Sequence, residues 1–436
     1  MAMMLLGGYI LLILWTAFSA KNHTSEAFYV NNRASNAWGT GFSIIVSCVG
    51  ASATIGMIGM AFAVGTPAFW WLGAGSVGLI VLSLFLARAV RKSGAYTLPQ
   101  MTEAFLGKQP RFILAIVIVV AWSAILAAQF TALSKILSPL TGFGPNVCLV
   151  LSLLLICGHS LGGQSAIMRV DRIQVLIILA TLAVMFVWLT THNPGWMNAV
   201  RFETVNEHFP VEKLRYFLVV VGANYLVCPM LFGRFFSARD EKSAVCGGLI
   251  GALGIAACSI LIVSIGLACR GLIPADTAQD AVLTTLLANI MPPWMHIVVS
   301  FALISAIVSS ADSCLVTAAT VCSNDFFNTR SPTVSKLCLA ALGIVGMVIS
   351  VWGKGILGFL LMAYDIFACG VVMPCFVGLL LFPTRRIDSH FACAAVIIGG
   401  TLGVTAAFTE NSLLNYTGMG LSGTLALAGT RKVTTQ

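Results

Sequence analysis

Long, almost uncharged apolar runs recur from one end of this 436-residue chain to the other, and no other feature restricts its fold as severely. A run of about 20 such residues crosses a bilayer as a helix, because hydrocarbon offers no partner for exposed backbone N–H and C=O groups. Charged residues make up 9% of the sequence and hydrophobic ones 58%, whereas an ordinary soluble domain carries about 25% charged residues. Mean hydropathy is +0.96. These values exclude a soluble globular protein and leave no room for a separate aqueous domain. The expected fold class is an all-α integral membrane protein, a polytopic helical bundle in a single domain spanning residues 1–436.

The apolar segments fall at 4–20, 39–65, 68–87, 112–137, 146–168, 170–191, 216–235, 244–269, 295–320, 336–352, 356–382, 390–409 and 413–430, thirteen candidate helices of which the last is the weakest. The first has no basic residue before it and no cleavage-site pattern after it, so it reads as a retained helix rather than a signal peptide. Thirteen cysteines lie mostly inside the apolar runs with no C-x-x-C pair, which suits small core residues and not a zinc site or a disulfide framework.

The excess of 24 Lys+Arg over 15 Asp+Glu gives a net charge of +9, but these residues sit in short clusters between apolar runs. Such clusters report topology, not nucleic-acid binding. With the N-terminus outside, eighteen of the 24 basic residues fall on the cytoplasmic side, leaving outside only Lys135, Arg201, Lys213, Arg215, Arg270 and Lys354. The positive-inside rule therefore predicts an external N-terminus, a cytoplasmic C-terminus and residence in the cell (inner) membrane. Two long external connections, 192–215 and 270–294, carry the Pro, Trp and acidic residues of a lid or a surface helix.

Two spans contain poor helix formers at their centres. Ser47, Gly50, Ser52, Thr54, Gly56 and Gly59 crowd the 39–65 segment, and Gly222, Asn224 and Pro229 weaken the 216–235 segment. Proline removes a backbone donor and frees neighbouring carbonyls to bind something at membrane depth. If these spans are the first and sixth core helices, residues 39–191 and 216–382 form two five-helix repeats with interruptions in matching positions, a pattern that points to a transport site at the bilayer midplane. The plainer alternative is that Gly and Pro are simply common in membrane helices.

Only Asp171, Asp312 and Asp365 among the acids lie in or at the edge of apolar segments. A carboxylate there costs at least about 2.5 kcal/mol, so each needs a partner or a function. Asp312 belongs to the run Ala306-Ile307-Val308-Ser309-Ser310-Ala311-Asp312-Ser313, in which helical spacing sets Ser309, Asp312 and Ser313 on one face with Ala306 and Ser310 close beside it. This oxygen-rich face suits a hard monovalent cation; packing through small residues explains the Ser and Ala but not the Asp. Asp365, next to Tyr364, has three competing roles: neutralising a substrate amine, carrying a proton, or pairing inside the bundle.

The chain resembles the sodium/solute symporter family. The resemblance is carried by Ser25-Glu26-Ala27-Phe28-Tyr29 with Asn32-Arg33, Ile55-Gly56-Met57, Ser93-Gly94-Ala95-Tyr96-Thr97-Leu98-Pro99, Gly162-Gly163 leading to Asp171-Arg172-Ile173-Gln174, Arg234 to Asp240, and the Ala306 to Ser313 run. It implies a five-plus-five inverted-repeat core with broken first and sixth core helices, preceded by the 4–20 helix and followed by accessory helices in 390–430. It also implies uptake of solute coupled to sodium. Carried over by position, the main sodium site falls on the carbonyls of Val46, Val49 and Ala306 and the hydroxyls of Ser309 and Ser310. A second cation position, found in some members, falls near Asp171, Ser309, Asp312 and Ser313; Asp171 has a plain salt bridge to Arg169 or Arg172 as its alternative. Arg234 reads as a cytoplasmic hinge or anchor of the sixth core helix or as part of a basic loop.

For the solute, Ser52, Ala53, Asn224, Tyr225 and Asp365 are the candidate contacts. With Ser52, Ala53 and Leu72 where the family's sugar carriers place polar groups, a hexose is disfavoured. An amino acid, a small amine or a monocarboxylate remains. Trp70 and Trp71 read first as interfacial anchors. The expected activity is therefore sodium-coupled symport of a small organic solute by alternating access, with no covalent chemistry and sodium as the co-transported ion. The alternatives are a solute sensor on the same fold and a proton-coupled symporter using Asp365.

Three pattern matches carry little. Gly158-His159-Ser160-Leu161-Gly162 spells a hydrolase nucleophile elbow but follows an apolar helix where a strand is required. Gly73-Ala74-Gly75-Ser76-Val77-Gly78 lacks the βαβ setting of a dinucleotide loop, and Asn22-His23-Thr24 and Asn415-Tyr416-Thr417 are sequons by spelling alone.

Overall fold

The computed structural model describes residues 24–432 together with Gly7 and Gly8, so the expected 4–20 helix and the sequon at Asn22 lie outside the described residues. The other twelve apolar segments are all helical. The described helices begin with α1 (Ser25–Val30), a short helix with Ala27 to Val30 buried, then α2 (Ala37–Cys48) and α3 (Ser52–Val64), which form one span bent by 61°. There follow α4 (Thr66–Lys92), α5 (Leu98–Leu106), α6 (Lys108–Thr141), α7 (Pro145–Ser160), α8 (Gly163–His192), α9 (Val211–Phe236) and α10 (Glu241–Ala268). After these come α11 (Val282–Asn289), α12 (Pro293–Phe326), α13 (Pro332–Ser350), α14 (Gly355–Leu381), α15 (Ser389–Thr409) and α16 (Ser412–Ala428). Spans α2/α3, α4, α6, α7 and α8 make one half of the core, and α9, α10, α12, α13 and α14 the other.

Both interruptions fall where the glycines and proline place them. At the first, Val49 leaves helical geometry (φ −92°, ψ 60°), and a Cβ on Gly50 would lie 2.6 Å from Ser310 Cβ, so only glycine allows α12 to approach the break. At the second, Val227 departs from the helix (φ −134°, ψ 24°) and the chain restarts at Pro229, whose missing N–H is harmless at a first helical position.

One expected boundary is corrected. The 146–168 segment divides, with α7 ending at Ser160 and α8 starting at Gly163. Gly163 takes φ +64° with Phe28 packed where a side chain would project, so the turn needs glycine and the helix cannot run through it.

Helix α12 is the axis of the molecule: 83% of its most apolar stretch is buried, against 39% for α8 and α13. It packs on α2, α6, α7, α8 and α13, while α10 lies along α2, α3 and α4. The two accessory helices α15 and α16 pair with each other and lean on α14. A two-stranded antiparallel ribbon, β1 (Arg385–Ile387) with β2 (Thr430–Lys432), closes one end.

The two long connections predicted outside serve the end of α3. Arg270 Nε donates to Phe62 O at 2.7 Å and Asn206 Nδ2 to Val64 O at 2.8 Å. They satisfy carbonyls that the end of a helix leaves without partners.

Candidate functional site

The broken span and α12 meet where the sequence places their oxygens. Ser310 Oγ donates to Ser47 O at 3.0 Å and Val46 O at 3.3 Å. Val46, Val49, Ala306, Ser309 and Ser310 are all buried. Carbonyls released at a helix break and a serine hydroxyl opposite them form part of a shell of neutral oxygens, the donor set that a hard monovalent cation accepts. The residues fit the ion that the resemblance implies. Ser309 faces slightly away: its hydroxyl donates to Asp171 Oδ1 at 2.9 Å.

Of the four residues of the second cation position, Asp171, Ser309 and Ser313 come together and Asp312 does not. Asp171, fully buried, accepts from Ser43 and Ser309 and has Arg234 Nη2 at 3.7 Å. Neither Arg169 nor Arg172 is its partner. Asp312 turns the other way, toward α7, where it contacts His159 Nδ1 and accepts from Ser160 Oγ at 2.8 Å. Position 312 lies about 60° around the helix from 309 and about 100° from 313, and α7 supplies a polar partner on that side. Ser313 stays with the first group, 3.0 Å from Ser47 Oγ and bonded to Ser309 O at 2.9 Å.

Arg234 anchors the sixth core helix, as one of its expected roles had it, but from inside the protein. It is no loop residue: it is completely buried, donating to Gln164 Oε1 at 2.8 Å, to Ser47 Oγ at 2.8 Å and to Ser313 Oγ. One buried cation thus joins the restart of α9 to the broken span, α8 and α12. The signal available in the sequence was its position within the 216–235 apolar run; counting it among loop charges hid it.

Beside the cation site lies a cavity of about 50 Å³ lined by Ser47, Ser52, Asn224, Tyr225 and Ser310 together with Trp71, Leu72, Trp122, Gln129, Leu360 and Tyr364. Asn224 Nδ2 donates to Val220 O at 2.7 Å and Tyr364 O at 3.2 Å, and Gln129 Oε1 accepts from Ala51 N at 3.3 Å, steadying the break. Ser52, Asn224 and Tyr225 therefore lie where the sequence reading sets them. Ala53 and Asp365 do not line this cavity. Trp71 does, so it is not an anchor at the lipid surface, whereas Trp70 lies in a separate outer groove with Phe69 and Trp196. Gln129 and Trp122 went unnoticed in the sequence, although an amide inside an apolar run needs a partner as Asn224 does.

Four of the motifs that carry the family resemblance, those around Ser25–Arg33, Ser93–Pro99, Gly162–Gly163 and Arg234–Asp240, gather toward the face predicted to be cytoplasmic, whereas Ile55–Met57 and Ala306–Ser313 lie at the break. Arg33 Nη2 donates to Gly94 O at 2.8 Å, Tyr96 OH to Glu26 Oε1 at 2.5 Å, and Tyr29 OH lies 2.7 Å from Ser335 Oγ. Arg239 N donates to Ser35 O at 2.8 Å, and Arg111 Nη2 meets Asp325 Oδ1 at 2.7 Å. The hydrolase pattern dissolves in the same geometry. Ser160 is bonded to Asp312 and Ile156 O, not to the imidazole, and His159 Nε2 has no partner among the described residues, so the serine–histidine bond of a hydrolase triad is not formed.

The sodium:solute symporter family model matches residues 28–399. A curated relative, the sodium/pantothenate symporter of Haemophilus influenzae, is 22% identical over 333 residues, covering 71% of this chain and 67% of its own. Among solved structures, a Na⁺-coupled sialic acid symporter in a substrate-bound outward-open state superposes with TM-score 0.81 at 16% identity, covering 99% of both chains. A nucleobase-cation-symport-1 family transporter in a closed conformation superposes with TM-score 0.64 at 15% identity, covering 92% of this chain and 93% of its own. The five-plus-five architecture and the family motifs agree with the family match across the core, and the chain belongs to the sodium:solute symporter family.

Proposed function

We propose that the protein couples inward movement of sodium to uptake of a small organic monocarboxylate. The observation that carries this reading is that Ser47 and Ser310 belong to both sites. Their contact closes the oxygen cluster at the break of α2, and both residues line the neighbouring cavity. An ion seated there fixes the wall against which the solute binds, and linkage makes the effect reciprocal: sodium raises solute affinity by the factor by which solute raises sodium affinity.

Among the three solute classes that the sequence leaves open, the lining of the cavity favours the carboxylate; the space of about 50 Å³ takes a carboxylate headgroup, and a whole solute of pantothenate's size requires the surrounding helices to move apart. The cavity is lined by amides, hydroxyls and the indole N–H of Trp122, which has no partner among the described residues. No acidic side chain lines it, so an amine finds no countercharge there. No basic side chain does either, and a single carboxylate can share the field of the adjacent sodium. The relative named for pantothenate, itself a monocarboxylate, supports this class. The proton-coupled alternative loses its main support, because Asp365 faces away from the cavity.

Purified protein in proteoliposomes tests the reading. Labelled pantothenate and short monocarboxylates are expected to accumulate only under an inward sodium gradient. Accumulation that follows a proton gradient and ignores sodium would overturn it, as would binding without accumulation. The orientation follows the charge distribution, with the α15–α16 turn outside and the β1–β2 ribbon inside the cell membrane.

A further inference from the structure

Asp365 opens onto a second cavity, separate from the central one. Along α14, Leu360 and Tyr364 turn toward the central cavity, while Gly358, Leu361, Met362 and Asp365 turn toward the accessory helices. There they wall a space of about 530 Å³ that opens at the protein surface beside Glu212, Lys213 and Glu410 and is bordered on its inner sides by Tyr216, Ala407 and Asn415. Asp365 is 7% exposed. Its Oδ1 accepts from Tyr216 OH at 2.6 Å and from Asn415 Nδ2 at 2.8 Å. No described residue hydrogen-bonds Oδ2, the oxygen left to the cavity.

We propose that this cavity binds a small organic ammonium ion, held by Asp365. The cavity's own charges do not balance: Asp365, Glu212 and Glu410 face only Lys213 and Lys354, leaving one negative charge. Neither lysine touches the carboxylate: Lys354 donates to Ala407 O at 3.3 Å and Lys213 lies over the Phe209 ring, so their charges reach Asp365 only across the cavity. Among the described residues neither forms an ion pair with Asp365. A nearly buried carboxylate at membrane depth requires a countercharge, and a single cation supplies it.

The cation is organic rather than metallic on two grounds. Among the described residues no three His, Cys, Asp or Glu side chains converge to hold a multivalent metal, and the space is far larger than a bare alkali ion fills. The space falls within the range of about 300–1,000 Å³ typical of small-molecule sites, and Pro210, Leu361 and Met362 offer an alkyl group an apolar wall. Tyr216 and Asn415 hold the carboxylate in place, so the ligand meets a fixed acceptor. The site is independent of the transport reading, since it shares no lining residue with the central cavity.

The test uses the purified full chain in detergent and sodium-free potassium buffer, with n-butylammonium chloride as the probe and thermal unfolding as the readout. The expected result is a saturable rise in Tm with butylammonium, absent with 1-butanol at matched concentration, whereas the rise that sodium chloride produces at its own site persists in Leu361→Trp. Asp365→Asn and Leu361→Trp are each expected to weaken the apparent affinity at least tenfold. The second variant fills the cavity while leaving the Tyr216 and Asn415 bonds in place, so it reports on the space even if the first unfolds. No saturable rise in the wild-type chain overturns the proposal. So does a rise of equal affinity in Leu361→Trp, or a sodium response that Leu361→Trp abolishes along with the butylammonium one.

Discussion

Arg234 Nη2 stands 3.7 Å from Asp171 Oδ2 in a region closed to solvent, and the same nitrogen donates to Ser47 Oγ at 2.8 Å. The pair links the two interrupted spans: Arg234 lies on the segment that restarts at Pro229, and Ser47 on the turn before the first break. A buried charge that loses its partner costs about 3–5 kcal/mol, whereas replacing both partners by neutral groups can be nearly neutral. Arg234→Gln is therefore expected to destabilise the protein by about 3–5 kcal/mol, read by denaturant or thermal unfolding in detergent. Adding Asp171→Asn is expected to recover much of that loss. If the double variant is as unstable as the sum of the two single ones, the two charges do not act as a pair.

Ser310 offers its hydroxyl to the carbonyls released at the break. Removing it leaves Ser47 O and Val46 O without that donor and removes one oxygen from the proposed ion shell. A buried hydrogen-bonding group of this kind is worth about 1–3 kcal/mol, or roughly five- to a hundredfold in an equilibrium constant. Ser310→Ala is expected to raise the sodium concentration for half-maximal uptake by about that factor. In the double variant Ser309→Ala/Ser310→Ala sodium dependence should vanish; unchanged sodium dependence in a correctly inserted double variant would remove the assignment.

Gly50 is present because a Cβ would lie 2.6 Å from Ser310 Cβ. Alanine there must push α12 away from the broken span and open the oxygen cluster. Gly50→Ala is expected to abolish sodium-stimulated uptake in protein that still inserts and is recovered in normal amount. Full activity in that variant would show that the two helices separate freely at this point.

Gln129 holds the amide of Ala51 with its oxygen and lines the central cavity. A site built to hydrogen-bond its ligand loses affinity sharply when a partner is replaced by an apolar group, by about 1–3 kcal/mol for a buried pair. Gln129→Leu is expected to raise the solute KM about tenfold or more, with a smaller change in sodium affinity. Initial uptake rates over a range of solute and sodium concentrations separate the two effects.

The His159–Asp312 contact gives a check on the discarded hydrolase pattern. Ser160→Ala removes one of the bonds that hold Asp312. It is expected to lower stability by about 1–3 kcal/mol without touching any esterase activity, since none is anticipated. Hydrolysis of an activated ester by the wild-type chain that disappears in Ser160→Ala would contradict this reading.

Hydrophobic patterning by itself determined the spans, because bilayer thickness and the need to satisfy every backbone group inside the segment leave few solutions for a run of apolar residues. It also marked the two breaks, since Gly50 and Pro229 act on the local backbone whatever packs against them. The oxygen cluster at the break was legible for the same reason: Val46 and Ser310 sit at a break and on a small-residue face, and both features are local. Which way a polar side chain turns on a helix was not local. Asp312 lies beside Ser309 in the sequence pattern but meets His159, because α7 offers a partner on its side. Asp365 follows a residue of the central cavity and looks out of it, since one position along a helix is about 100° of rotation. Arg234 resembles a loop charge and is the most deeply buried cation, because Asp171, Gln164, Ser47 and Ser313 arrive from three other elements. Only the tertiary structure decided these partners, for a buried charge is placed by the neighbours that compensate it, and those neighbours are remote in sequence.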